Sequence, residues 1–490
     1  MKALRRRLQS TQRVPGGVWL VLGLLGMMAF FSRNPELSVA AVLLLAWFFL
    51  LLWRTGEPPI LLLALGFQWL QVTAKLVHAN IVGAPVQALS EFGGDVEMAI
   101  WLSMGALAVL ALGMRIALIR LMPTDPTVAH DQARLFSVNR LWMLYLASVP
   151  VSLMIVSMSW AIPGGTQVAL ALSDIRWVVF FALAYATLVK MQRLHLLLIA
   201  FSIELALGVG GFFADFKTVF FVTIIAYIAA GRRLTGTQLA VALSMVSMLF
   251  MLSLVWTAIK IEYRDYLSGG QLAQVVTRGY MERTQKLFEM VSELTTEELR
   301  QSVDTTAQRI SYVDFFAVTT TTVPRRIAHE NGALWGGALQ HIFMPRLFFP
   351  SKPALPNDSE RTNYYTGLYM AGETHGTSVS MGYVAESYID FGKFGMFAPI
   401  LLLGVLLGWM YRFFVTRKNI PTFIGYGLAV VVLLEAYKFE TTNTKLLGAI
   451  VTAFLVAFVV QKYLVRKLAR QLVLKRRTSI GAAVSTPRIS

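Results

Sequence analysis

Long apolar runs recur through most of this chain, and each is close to the length that crosses a bilayer. A transmembrane helix needs about 20 predominantly apolar residues. Of the 490 residues, 56% are hydrophobic and 14% are charged. The runs predict about twelve transmembrane helices, at residues 17–32, 36–53, 58–78, 96–115, 140–160, 173–190, 194–210, 215–231, 237–258, 393–413, 421–438 and 444–463. The predicted fold class is therefore an all-α integral membrane protein.

Lys and Arg exceed Asp and Glu by 17. In a soluble protein this excess would suggest a nucleic-acid partner. Here the basic clusters lie at helix ends on one side of the predicted bundle, so the positive-inside rule accounts for them and no nucleic acid is predicted. Both termini are then cytoplasmic, and the basic start is interpreted as the flank of a retained first helix. The chain has no cysteine, which excludes disulfides and thiolate chemistry.

The predicted spans divide the chain into five parts. These are a basic cytoplasmic N-terminus (1–16), a bundle of about nine helices (17–258), a large extracytoplasmic loop (259–392, hereafter the large loop), a bundle of about three helices (393–463) and a basic cytoplasmic tail (464–490). The large loop is expected to be mainly helical and irregular. Residues 281–294 and a helix from the capping box Thr295-Thr296-Glu297-Glu298 to about Phe316 predict a hairpin. Residues 319–377 are predicted to be irregular, and 383–391 to form a helix broken by Gly392 and Gly395.

The third span carries Gln68, Gln71, Lys75 and His78 at helical spacing, which places them on one face. Ionisable groups at membrane depth normally face the bundle interior or water. Other charges also lie toward the outer helix ends, including Lys217 and Arg264, so a polar cavity that opens outward is predicted. The alternative is that these groups mark helix ends or pair with one another.

Four arginines lie in one stretch of the large loop, at Arg325, Arg326, Arg346 and Arg361. Guanidinium groups suit a diphosphate because they donate two parallel hydrogen bonds and stay ionised. The same stretch holds Tyr364, Tyr365 and Tyr369, whose rings are candidate sugar platforms. Alternatively, the arginines pair with Glu330, Asp358 and Glu360 on a solvated surface.

Glu373, His375 and Glu386 are the candidate proton acceptors, because a sugar hydroxyl that attacks an anomeric carbon must lose its proton. Alternatively, His375 is an exposed loop histidine that takes no part in proton transfer. The large loop has no His-x-x-x-His pair and no Asp-x-Asp, which are spacings typical of metal sites. Neither a metal nor another cofactor is therefore expected. The chain also lacks a phosphate-binding loop of the ATPase type.

Four motifs then suggest a family. Ala214-Asp215-Phe216-Lys217-Thr218 opens a span, and Phe343-Met344-Pro345-Arg346 and Pro350-Ser351-Lys352-Pro353 lie in the large loop. Gly382-Tyr383-Val384-Ala385-Glu386-Ser387-Tyr388-Ile389-Asp390-Phe391-Gly392 precedes the next span. With the topology, they resemble the Wzy-type oligosaccharide repeat-unit polymerases, also called O-antigen polymerases. The resemblance implies a metal-independent, membrane-embedded glycosyltransferase of the C type. Such an enzyme moves a growing glycan from undecaprenyl diphosphate to the non-reducing end of a lipid-linked repeat unit.

The resemblance also implies that outer basic residues hold the diphosphate. With the outer-end charge Arg264, the predicted set is Lys217, Arg264, Arg325, Arg326, Arg346 and Arg361. The expected location is the bacterial inner membrane, with the active site facing the periplasm. The expected partners are undecaprenyl diphosphate-linked oligosaccharides, membrane lipids, a chain-length regulator and a flippase. Three alternatives remain: an O-antigen ligase using the same donor, a lipid-linked oligosaccharide transporter, and a non-catalytic assembly subunit.

Overall fold

The computed structural model describes residues 14–119, 125–159, 165–209, 215–231, 235–270, 277–344, 349, 351–352, 357–370 and 378–473. Within these ranges the protein is helical, and its only β-structure is an isolated bridge between Phe136 and Val473. The helices of the first half are α1 (Gly16–Phe30), α2 (Pro35–Leu52), α3 (Ile60–Val82), α4 (Val96–Leu118), α5 (Pro126–Leu135), α6 (Val138–Met158), α7 (Thr166–Ser173), α8 (Ile175–Lys190), α9 (Leu194–Val209), α10 (Lys217–Ala230) and α11 (Gly236–Ser268). Those of the second half are α12 (Tyr280–Glu293), α13 (Thr296–Ile310), α14 (Val313–Thr322), α15 (Ala333–Phe343), α16 (Asp358–Thr366), α17 (Tyr383–Gly395), α18 (Phe397–Val415), α19 (Thr422–Leu433), α20 (Asn443–Val460) and α21 (Arg466–Leu472).

In the described part of the chain, eight helical segments are long and apolar enough to cross a membrane, counting α7 with α8 and α20 with α21. The prediction of a helical membrane protein agrees with this pattern. Four further apolar helices, α1, α9, α10 and α19, are shorter. Each lies within a predicted span, but the count of about twelve spans stays a prediction.

Glycines let α4 and α18 pack with their backbones in close contact. A Cβ atom added at Gly404 would lie 2.3 Å from the carbonyl oxygen of Leu110, and one added at Gly408 would lie 2.5 Å from that of Met114. Glycines four residues apart are a common means of close helix packing in membranes. These two helices therefore approach more closely than larger side chains at Gly404 and Gly408 would allow.

The helix α4 also connects two chemically different ends of the bundle. At its start, Gly94 lies against the backbone of Ala317 in the large loop. Near its other end, Arg412 donates to the carbonyl oxygen of Ala117 at 3.4 Å. That second end is basic, because α4 carries Arg115 and α18 carries Arg412 in their last turns. The large loop and this basic end are therefore on opposite sides of the bundle.

The first part of the large loop is built on α11. This helix has 33 residues, or roughly 50 Å at 1.5 Å per residue, which exceeds a hydrocarbon core of about 30 Å. Met290 of α12 packs against Ile259, Tyr263 and Leu267 at the end of α11. The predicted capping box is confirmed, because Thr295 N–H donates to the Glu298 carboxylate at 2.8 Å and Glu298 N–H donates to the Thr295 hydroxyl.

Two predictions for the large loop are wrong in detail. The helix that begins at the capping box ends at Ile310, and α14 is separate because its buried residues pack on α4 instead. The stretch predicted to be irregular contains α15 and α16. The start of α15 is capped from a distance, since the Asp390 carboxylate accepts the N–H groups of Leu334 and Trp335 at 3.0 and 2.8 Å. The break in α17 at Gly392 is confirmed, with φ 69° and ψ −170°.

Candidate functional site

Two glutamines of α3 form hydrogen bonds to the turn that follows α19. This turn consists of a short 3₁₀ helix (Leu434–Tyr437) and the residues just after it. The Gln68 amide donates to the Ala436 carbonyl at 2.6 Å and accepts from the Tyr383 hydroxyl at 2.7 Å. One turn later, the Gln71 amide accepts from Phe439 N–H at 3.0 Å. This face of α3 is therefore bonded to two other elements.

Lys75 extends the same face toward the large loop. Its ammonium group lies 2.6 Å from the Asp314 carboxylate of α14, and both side chains are almost fully buried. It also donates to the carbonyl oxygen of Leu89 at 2.8 Å. Lys75 is therefore paired, as the alternative interpretation proposed, and Gln68 and Gln71 bond to protein groups rather than to an open polar cavity.

The other side of α3 faces a groove of about 840 Å³. The groove lies between α3, α10, α11 and α13, and most of its walls are apolar. Its lining on α11 extends from Val246 to Arg264, which is roughly 27 Å at 1.5 Å per residue. Three cationic side chains line it, at Lys217, Lys260 and Arg264.

The structure thus brings Lys217 and Arg264, both in the predicted diphosphate set, to one groove. Lys260, which is outside that predicted set, joins them. Lys217 is the first residue of α10, and its ammonium group lies 5.9 Å from the centre of the Phe67 ring and 5.7 Å from that of Tyr437. Cations attract aromatic faces at these distances. The carboxylates of Glu440 and Asp215 both attract Lys217 electrostatically.

Arg361 belongs to α16, a helix of the large loop, and does not line the groove. Its guanidinium group donates to the Glu386 carboxylate at 2.7 Å. The second oxygen of Glu386 accepts Asn443 N–H at 2.7 Å. Glu386 is fully buried; burial raises the pKa of its carboxyl group above the ordinary value, and Arg361 and the Asn443 N–H oppose that shift.

This geometry does not support two of the predicted roles. Both oxygens of Glu386 are held by protein donors, so the carboxylate is poorly placed to take a proton from a substrate. Arg361 is paired, as the alternative interpretation proposed, but with Glu386 rather than with Glu330, Asp358 or Glu360. Its charge is therefore already neutralised by the protein.

The three tyrosines do not form one sugar platform. Tyr364 and Tyr369 are 61% and 84% exposed, whereas Tyr365 is 5% exposed. The Tyr365 hydroxyl donates to the Glu330 carboxylate at 2.9 Å. Tyr365 therefore has a packing role, because its side chain is turned inward and its hydroxyl is bonded to the protein.

The remaining predicted residues lie elsewhere. Arg325 and Arg326 are exposed on the turn after α14, and neither lines the groove. Arg346, Glu373 and His375 lie outside the described residues, so their predicted roles stay predictions. Across the residues that the structure covers, no three His, Cys, Asp or Glu side chains gather in a geometry that could hold a metal ion.

Comparison with known proteins gives one match. No curated protein and no solved structure is significantly similar to this chain. The family described as "Domain of unknown function (DUF8712)" matches residues 106–476. This match includes α10, α11, α13, the large loop and the turn after α19, and it covers most of the chain. The protein therefore belongs to the DUF8712 family.

Proposed function

We propose that this protein is a polysaccharide polymerase that transfers a growing glycan from undecaprenyl diphosphate to the non-reducing end of a lipid-linked repeat unit. The observation that carries the proposal is the groove between α3, α10, α11 and α13. It combines long apolar walls with Lys217, Lys260 and Arg264. A polyprenyl chain needs the first feature, and a diphosphate needs the second.

The energetics favour such a ligand over an uncharged lipid. Apolar contact contributes about 25 cal/mol for each Å² removed from competing water, but in a bilayer most of that gain is already available from other lipids. Selectivity must then come from the cations. Hydrogen bonds to charged groups contribute about 1.5–3 kcal/mol each, so three cationic side chains can select a diphosphate lipid.

The distribution of charge supports an orientation. Arg115 and Arg412 belong to the basic end of the bundle, opposite the large loop. Basic ends of membrane bundles are normally cytoplasmic. We therefore propose that the protein lies in a bacterial inner membrane with the large loop in the periplasm. In this orientation the diphosphate linkage itself supplies the driving force, and a flippase and a chain-length regulator are the expected partners.

The absence of cysteine from the sequence makes this orientation easy to test. Ser292→Cys places a single thiol on exposed α12, and Thr416→Cys places one after α18 at the basic end. A membrane-impermeant maleimide that reaches the periplasm is expected to label only the first variant in intact cells. Labelling only of the Thr416 variant would contradict the proposed orientation.

The function is tested by the lipid-linked glycans that accumulate in a deletion strain. Loss of a polymerase leaves single repeat units on the carrier or on their final acceptor. Loss of an O-antigen ligase, which would use the same donor groove, leaves polymer attached to the carrier. Loss of a transporter would leave repeat units on the cytoplasmic side, out of reach of periplasmic glycosidases. Either of the last two results would contradict the proposal.

A further inference from the structure

One carboxylate whose charge acts on Lys217 was not among the predicted site residues. Glu440 follows the 3₁₀ turn after α19 and is half-buried. The Gln71 amide donates to one of its oxygens at 2.6 Å and also accepts the N–H of the preceding residue, Phe439, at 3.0 Å. One glutamine thus fixes both the backbone and the side chain at this position.

The approach of α17 restricts the same segment from the other side. Gly382 has φ +89°, and a Cβ atom there would lie 2.6 Å from the carbonyl oxygen of Phe439. Only glycine combines this backbone conformation with so close a contact. The backbone that carries Glu440 is therefore held between α3 and the start of α17, which is the arrangement expected for a group that must be positioned.

Glu440 also lies near Lys217, because the ring of Tyr437, three residues earlier, is 5.7 Å from the Lys217 ammonium group. The charges of Glu440 and Asp215 act on Lys217, which lines the groove. The neighbours of Glu440 have other contacts. Glu435 pairs with Lys438 at 2.7 Å, and Asp215 accepts from the Thr218 hydroxyl at 2.8 Å. Among the described residues, the Gln71 amide is the one hydrogen-bond donor to Glu440. The second carboxylate oxygen of Glu440 has no donor there.

We propose that Glu440 accepts the proton in the transfer reaction, an inference that rests on the proposed function. The acceptor hydroxyl oxygen forms a bond to the anomeric carbon of the donor while the bond from that carbon to the diphosphate oxygen breaks. The diphosphate leaves with the electron pair and is stabilised by Lys217, Lys260 and Arg264. The hydroxyl proton passes to the Glu440 carboxylate and is later released to water.

The chemistry explains why Glu440 suits this role better than Glu386. A general base must reach the proton directly or through one water molecule. Glu386 is fully buried, and protein donors occupy both of its oxygens. Glu440 is half-buried, and one of its oxygens has no hydrogen-bond donor among the described residues.

The test is a transfer assay with purified protein and a defined lipid-linked repeat unit. Glu440→Gln keeps a carbonyl oxygen that can accept from Gln71 but removes the base. Loss of a positioned general base costs about 10²–10⁴-fold in rate, so we expect a decrease of that size, with donor affinity unchanged or higher. Glu440→Asp keeps a carboxylate and is expected to retain part of the activity.

Two control variants make the assignment specific. Glu435→Gln and Asp215→Asn each remove a nearby carboxylate and are expected to stay within a few-fold of the wild-type rate. A near-normal rate for Glu440→Gln, or a loss confined to Asp215→Asn, would overturn the proposal while leaving the proposed function intact. Absence of transfer by wild-type protein on a verified substrate would overturn the proposed function and this assignment together.

Discussion

The two faces of α3 meet different surroundings. Leu63, Phe67 and Leu70 face the groove, whereas Gln68, Gln71 and Lys75 are bonded to the large loop and to the turn after α19. The first face is open and apolar, with cations from α10 and α11 opposite it. The second is buried, and protein groups satisfy its polar atoms.

This contrast separates binding from positioning. A cation that already has a buried carboxylate partner can serve a ligand only by giving up that partner. Arg361 is in this situation, since it pairs with Glu386. Lys217 has aromatic faces around it and carboxylates at longer range. We therefore assign ligand binding to the groove and structural support to the polar contacts beneath the large loop.

The largest predicted effect is on the supporting side. Arg361→Met leaves the buried Glu386 carboxylate without its counter-charge. Removal of one partner from a buried ion pair typically costs about 3–5 kcal/mol, so we expect a large decrease in the thermal stability of detergent-solubilised protein. The double variant Arg361→Met/Glu386→Gln should recover much of that loss. Equal stability of wild type and Arg361→Met would contradict a structural role for the pair.

The loss of stability in Arg361→Met should depend on pH. Burial raises the pKa of Glu386, and loss of Arg361 raises it further. Between the unfolded glutamate pKa of about 4.3 and this raised value, the folded state binds more protons than the unfolded state. Stability therefore decreases as pH rises through that window. We expect the stability loss of Arg361→Met, measured by thermal unfolding, to be smallest near the unfolded glutamate pKa and to grow as pH rises. Adding Glu386→Gln should remove this pH dependence.

A smaller effect distinguishes the two faces of α3 directly. Gln68→Leu leaves the Tyr383 hydroxyl and the Ala436 carbonyl oxygen without a buried partner, which should cost about 1–3 kcal/mol. Leu70→Ala lies two residues away, on the face toward the groove, where Leu70 is 37% exposed. Substitutions at exposed positions usually change stability by about 0.5 kcal/mol or less. Thermal unfolding of the two variants should therefore differ, and similar destabilisation would argue against the two-face description.

The smallest expected effect is at the rim of the large loop. Lys445 lies 2.5 Å from the Asp358 carboxylate, and its side chain is 46% exposed. The Asp358 side chain is only 10% exposed, but the Ser378 hydroxyl also donates to it. A partly solvated ion pair contributes less than a buried one, so Lys445→Ala should lower the unfolding temperature much less than Arg361→Met does. A loss as large as that of Arg361→Met would show that exposure is a poor guide to the role of these pairs.

The sequence allowed the helical membrane fold, the capping box at Thr295 and the break at Gly392 to be predicted, because each depends on local pattern. It also placed Lys217 and Arg264 in one functional set. It could not show that Arg361 pairs with Glu386, or that the charge of Glu440 acts on Lys217. Those interactions join positions 25 and more than 200 residues apart, and only the packing of helices decides them.

The start of α15 gives the same lesson. Its first N–H groups are capped by Asp390, more than 50 residues later in the chain. No local signal marks that helix start, which is why the stretch was predicted to be irregular. Long-range caps of this kind are visible only once α15 and α17 are seen together.

The central claim is that the groove binds a polyprenyl diphosphate through Lys217. It is tested by measuring the affinity of purified protein for undecaprenyl diphosphate. Lys438 offers a matched control, because its ammonium group lies 5.8 Å from the same Tyr437 ring but pairs with Glu435 and does not line the groove. Loss of a hydrogen bond to a charged group costs about 1.5–3 kcal/mol, or roughly 10–150-fold in affinity. We predict that loss for Lys217→Gln and near-normal affinity for Lys438→Gln; normal binding by Lys217→Gln, or equal losses in both, would contradict the account.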